Sequence, residues 1–116
     1  MTTFTIKRIH DEAGDDDGMR VLVDRLWPRG VRKADAGVDR WAKDATPSSE
    51  LRKAFHAGDL DQDDFAERYR AELAESGAAE ELAADLPKKV TLLTAVKDPD
   101  NSHVPVLLKE LRRLTR

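Results

Sequence analysis

The sequence predicts an α/β fold: a single domain with a small, mostly parallel open sheet of about four strands and packed helices. Three observations carry this. The run Val90-Thr91-Leu92-Leu93-Thr94-Ala95-Val96 is apolar on both sides of the pleat, as a strand covered on both faces of a parallel sheet requires. A second apolar run, Arg20-Val21-Leu22-Val23-Asp24, is rich in β-branched residues and closes on a charge. Between and after these runs lie segments with apolar residues at helical spacing, and alternating strands and helices favour parallel pairing.

Taken in order, Phe4 to Ile9 starts with apolar–polar alternation and meets a Gly- and Asp-rich stretch from Asp11 to Gly18, which reads as a strand followed by an exposed turn. The run to Asp24 reads as the second strand, and Trp27-Pro28-Arg29-Gly30 stops regular structure because proline drives the preceding residue to an extended conformation. Val38 to Lys43, with Trp41, reads as a weaker extended segment. Thr46-Pro47 predicts an N-cap with proline at the first helical position, followed by Leu51, Ala54 and Phe55 on one face before Gly58. Asp61 predicts the cap of another helix, with Phe65, Tyr69 and Leu73 every four residues until Gly77. Alanine content predicts a further helix over 78–86, ended by Pro87. The strand at 90–96 leads through Lys97-Asp98-Pro99-Asp100 to a last amphipathic helix marked by Val104, Leu107, Leu108, Leu111 and Leu114. Ser102 is its expected N-cap, which places Pro105 third in the helix, where no intrahelical donor is lost.

Length and composition agree with this. The chain has 116 residues, 40% of them hydrophobic and 37% charged, enough apolar content for one core and too much for a disordered tail. No apolar run approaches the roughly 18 residues of a membrane span, and the first residues lack the apolar stretch of a secretory signal. A cytoplasmic protein without membrane contact is therefore expected. The absence of cysteine excludes disulfides, thiol nucleophiles and thiolate metal sites. The net charge of −3 argues against general attraction to nucleic acid. The local pattern differs: Arg20, Arg25, Arg29, Arg32 and Lys33 stand against the single acid Asp24 in residues 20–33.

Ligands of open parallel sheets bind beyond the carboxyl ends of the strands, and two loops there carry chemistry. One holds Asp24, Arg25, Trp27, Arg29, Arg32 and Lys33; the other holds Lys97, Asp98, Ser102 and His103. Arginines on a stiff Pro/Gly loop suit phosphate or carboxylate, and a helix start adds backbone donors. The expectation is that Arg25, Trp27, Arg29, Lys33, Lys97 and Ser102 bind a small phosphorylated or nucleotide-like anion in an enzyme or sensor. Asp24, Asp98 and His103 are then the candidates for proton transfer. The alternatives are a module that binds nucleic acid or protein through residues 25–33, and a surface of charges that only pair with one another. Trp27 reads either as a ligand platform or as a core plug; His10 and His56 read as surface residues. Two acidic clusters resemble calcium loops, but the one at 13–18 lacks its first ligand and the one at 59–70 has Arg70 where a bidentate Glu belongs. No HExxH, Walker A, GxGxxG or GxSxG string occurs, and no metal or cofactor is assigned.

The string RVLVDRLWPRGVRK at 20–33, with TPSSELRKAF at 46–55, FAERYRAEL at 65–73 and VTLLTAVKD at 90–98 before a Leu-rich last helix, resembles the YeaO-like family, the domain of unknown function DUF488. The resemblance runs nearly the whole chain, and VDRLWPRG is its most specific part. It implies one DUF488/YeaO-like domain over residues 1–116 and brings no settled activity with it. The wider family's pattern implies a Cys-His pair after the last strand, where this chain reads Asn101-Ser102-His103. Only the His matches, so a thiol role does not carry over and Ser102 reads as a helix cap. Ala54 stands where relatives carry an aromatic residue.

Overall fold

The computed structural model describes residues 2–116. Four strands, β1 (Thr3–Arg8), β2 (Met19–Leu22), β3 (Arg40–Trp41) and β4 (Lys89–Thr94), form one all-parallel sheet in the order β1-β4-β2-β3. β4 is central and buried from Val90 onward, which is why its sequence is apolar on both faces. The β2–β4 register pairs Val21 with Leu92 and Leu22 with Leu93, so the two apolar runs are parallel neighbours.

Side-chain alternation along these strands separates two cores. Val21, Val23, Val90 and Leu92 face α3 (Gln62–Ser76), α4 (Ala78–Ala84) and α5 (Val104–Leu114), where Phe65, Tyr69, Leu82, Leu107 and Leu111 complete the main cluster. Leu22 and Leu93 point the other way, onto Ile9 and Ala36 with Trp27, Val31, Val38 and Trp41 around them. Tyr69 is fully buried, and its hydroxyl donates to the carbonyl of Ala45 in a single 3-10 turn, Lys43–Ala45. That bond fastens α3 beneath the segment leading into α2 (Ser49–His56).

The termini of the helices refine the sequence reading. Asp61 caps α3 as expected, accepting from the amide of Asp64 at 2.8 Å. Thr46 does not cap α2: its hydroxyl donates to Lys43 O within the 3-10 turn, and Ser48 is the cap, accepting from Leu51 N. Glu72 of α3 accepts from both the amide and the hydroxyl of Ser48, at 2.9 and 2.6 Å, and so selects Ser48 from a distance. The last helix starts one residue later than expected, with His103 at the cap position. Ser102 still supplies the oxygen, accepting from Val104 N at 3.1 Å. The sequence reading had no element over 33–36, where the four-residue helix α1 (Lys33–Ala36) lies, ended by Gly37 at φ 61°.

Arg20 explains both that short helix and the acidic loop. Its guanidinium is buried and donates to Ala36 O and Gly37 O at the end of α1, and to Asp17 at 2.5 Å. Asp17 also pairs with Lys7 at 2.7 Å and accepts from the amide of Gly14. The hydrogen bond from Lys7, with those from Gly14 and Arg20, holds its carboxyl well below the usual carboxylate range. The loop read as a solvated acidic turn is therefore anchored, chiefly through Asp17, to β1, β2 and β4.

Candidate functional site

The carboxyl ends of β2 and β4, the start of α5 and the exposed edge of α2 enclose a cavity of about 300 Å³. The strands end there because hydrogen bonding passes from the backbone ladder to side chains. Asp24, just beyond β2, accepts from the Thr94 hydroxyl and from the amide of Ala95, each at 2.7 Å. The Thr94 hydroxyl in turn accepts from Val96 N at 3.1 Å. Trp41 Nε1 donates to the carbonyl of Asp24 at 2.7 Å. Asp24, a candidate for proton transfer from the sequence, bridges the two strand ends with both oxygens engaged.

His103 is buried in the cavity wall, with Nε2 2.5 Å from the Val23 carbonyl and 3.6 Å from the Asp24 carboxylate. An imidazole nitrogen facing a carbonyl is the N–H donor, which leaves Nδ1 as the ring's acceptor. Burial pushes the His103 pKa down, opposed by the Val23 bond and the Asp24 charge and aided by Arg52 and His56 nearby. The imidazole is therefore neutral near pH 7. The Ser102 hydroxyl is committed on both sides, donating to Pro99 O at 2.7 Å and accepting from Val104 N.

Four of the sequence candidates line this cavity: Asp24, Arg25, Ser102 and His103. Arg25 makes one long contact, 3.5 Å to Pro47 O. Trp27 turns to the opposite face of the sheet, donating from Nε1 to Val31 O at 2.7 Å and meeting Trp41 edge-on at 5.5 Å. Lys33 lies 5.6 Å from the Trp27 ring centre, on that same opposite face. Arg29, Lys97 and Asp98 are exposed outside the cavity, and Asp98 accepts from Asn101 Nδ2 at 2.7 Å. Neither Arg25 nor Arg29 takes part in an ion pair among the described residues; the buried pair with the acidic loop belongs to Arg20.

The remaining wall comes from residues that sequence reasoning passed over. Arg52, Phe55 and His56 reach the cavity from α2, and Phe65 from α3. Phe55 and Phe65 stack with centroids 4.3 Å apart and planes 18° from parallel. The Nε of Arg52 is shut off from solvent without a hydrogen-bond partner, and Arg52 joins no ion pair among the described residues. The signal was available: Arg52, Phe55 and His56 stand at i, i+3 and i+4, one helical face that is not purely apolar. Among the described residues no three of His, Cys, Asp and Glu stand close enough to hold a metal ion, and no helix is long and apolar enough to cross a membrane.

A family model described as the inactive DUF488-N3 subclade matches residues 3–116. The chain belongs to the DUF488 family. This DUF488 chain is 48% identical over 110 residues to the uncharacterised protein YeaO of Escherichia coli, covering 93% of this chain and 96% of that one. It is 42% identical over 111 residues to uncharacterised proteins of Mycobacterium tuberculosis and Mycobacterium bovis, covering 95% of this chain and 94% of each of those. No solved structure matches it.

Proposed function

We propose that this DUF488 chain is a sensor domain that binds a small anion without turning it over. The observation that carries the reading is Arg52, a guanidinium with a buried, partnerless Nε in the wall of a cavity at the carboxyl ends of parallel strands. Arg52 has no ion-pair partner among the described residues, and an anion in the cavity would supply one to its guanidinium fork. Arg25 stands in the same wall with only a long contact to Pro47. Asp24, the Ser102 hydroxyl and His103 Nε2 are each committed to partners within the chain, which leaves His103 Nδ1 with no hydrogen-bonded nucleophile to activate. The description of the matching family as an inactive subclade agrees with this.

The test is a thermal-shift and calorimetric screen of the whole chain against inorganic phosphate, nucleotides, sugar phosphates and carboxylates, because a ligand specific to the folded state raises the melting temperature. At least one anion is expected to stabilise the fold. Arg52→Gln is then expected to weaken it by about 1.5–3 kcal/mol, the scale of a hydrogen bond to a charged group. A screen with no stabilising anion, or equal affinity in Arg52→Gln and Arg25→Gln, removes the reading. A second reading, a protein or nucleic acid docked on residues 25–33, has in its favour Leu26, 66% exposed between Arg25 and Arg29. Binding of a single-stranded oligonucleotide that falls steeply with salt is its expected signature.

A further inference from the structure

We infer that the anion is a small aromatic monocarboxylate, recognised by Arg52 at its head and by the Phe55–Phe65 wall along its ring; this rests on the anion-binding reading. Three features of the cavity select that class over phosphates and nucleotides.

The first is the state of the backbone donors. A phosphate cradle is built from several free amides at a strand end and a helix start. Here the amide of Ala95 donates to Asp24, that of Val96 to Thr94, and that of Val104 to Ser102. Three of the amides at these strand and helix ends are thus already occupied, which thins the cradle. The guanidinium of Arg52 remains, and its planar fork matches a carboxylate with two parallel hydrogen bonds.

The second is charge. The fixed charges lining the cavity are Arg25, Arg52 and Asp24, two positive and one negative, and His103 stands there as a neutral donor to Val23. The wall therefore balances one negative charge, whereas a phosphate monoester brings about 1.5 to 2. Arg25 also borders an adjoining cleft that contains Asp44 and Glu72, which draws its charge further from the ligand. His56 sits exposed at the rim.

The third is shape and polarity. Leu26, Pro47, Phe55, Phe65 and Val96 form most of the remaining wall, and the two phenylalanines make it partly aromatic. About 300 Å³ is at the small end of ligand cavities, suited to a single ring with a short acidic arm. Leu26, exposed at the mouth, is placed to cover the ring of such a ligand.

The experiment compares three probes that share one ring, phenylacetate, phenyl phosphate and benzyl alcohol, by calorimetry and by amide chemical shifts of the whole chain. Phenylacetate is expected to bind about tenfold or more tightly than either of the others, moving the amides of Leu26, Phe55 and Val96. In Arg52→Gln, its advantage over benzyl alcohol is expected to vanish while benzyl alcohol binding is unchanged; circular dichroism confirms that the variant folds. Phenyl phosphate binding as tightly as phenylacetate overturns the ligand class and leaves the anion reading standing. Benzyl alcohol binding as tightly as both acids overturns the anion reading as well. No binding by any of the three, beside a phosphate or nucleotide hit in the wider screen, overturns the class alone; no binding in either experiment overturns both.

Discussion

Replacing Asp24 by alanine removes the clamp between β2 and β4, and the structure sets the scale of the loss. Two donors, the Thr94 hydroxyl and the Ala95 amide, lie 2.7 Å from its carboxylate oxygens, and Thr94 is fully buried. Hydrogen bonds to a charged group contribute about 1.5–3 kcal/mol each, and a donor left unmade in the interior adds its desolvation cost. With partial relaxation and entry of water at the cavity, Asp24→Ala is expected to cost about 3–4 kcal/mol, a large share of the 5–15 kcal/mol typical of a domain. Asp24→Asn keeps one acceptor oxygen and is expected to lose about half as much. Urea denaturation at neutral pH reads this as a lower midpoint at unchanged slope. Thr94→Val removes the same interaction from the other side, so the double variant is expected to show a coupling of about 1.5–3 kcal/mol. A loss below about 1 kcal/mol for Asp24→Ala, or an additive cycle, would refute the assignment of this carboxylate to the fold.

Two further outcomes follow from the backbone and from burial. Gly18 has φ +65° and a Cβ placed there would lie 2.2 Å from the Lys89 carbonyl, whereas Gly58, at φ +82°, has open space around it. Gly58→Ala is expected to cost about 1–2 kcal/mol from backbone conformation alone, and Gly18→Ala clearly more, as melting temperatures of the two would show. The pKa of His103 is pushed below its ordinary 6.5 by burial, so the unfolded chain takes up its proton first as pH falls. Its contribution to stability is therefore full above pH 6.5 and declines below it toward the folded-state pKa. His103→Gln is expected to flatten the acid side of a stability–pH curve, and an unchanged slope would contradict the neutral, buried imidazole.

What could be read from the sequence was what local chemistry decides. Asp61 caps α3 with its own side chain, Pro87 stops α4, and the apolar run of β4 declares its burial without knowledge of its neighbours. The cap of α2 was misplaced because the choice between Thr46 and Ser48 is made by Glu72, 24 positions from Ser48. β3 has two residues, too few for a periodicity to exist. The strand-end rule brought Asp24, Arg25, Ser102 and His103 to one place but gave no direction to the side chains between them. Trp27 and Lys33, in the loop beyond β2 and at the start of α1, pack on the other face of the sheet, while Arg52 lies on a helix whose sequence pattern draws attention to its apolar positions Leu51, Ala54 and Phe55.

The strand order has a consequence during synthesis. β1 and β2 never touch as ladder partners, since each pairs with β4, and near the amino end Thr2 reaches the Pro87 carbonyl across 85 residues of chain. Until the last third of the polypeptide has left the ribosome, β2 has only the two-residue β3 beside it and β1 has nothing. The nascent chain therefore carries its apolar strands unpaired for most of its translation, and the sheet closes late, around the insertion of one segment. Long-range parallel pairing of this kind folds slowly and leaves hydrophobic surface open to chaperones or to other nascent chains. Ribosome-bound chains halted before Lys89 should accordingly be protease-sensitive throughout β1, and chains released after Leu114 should not.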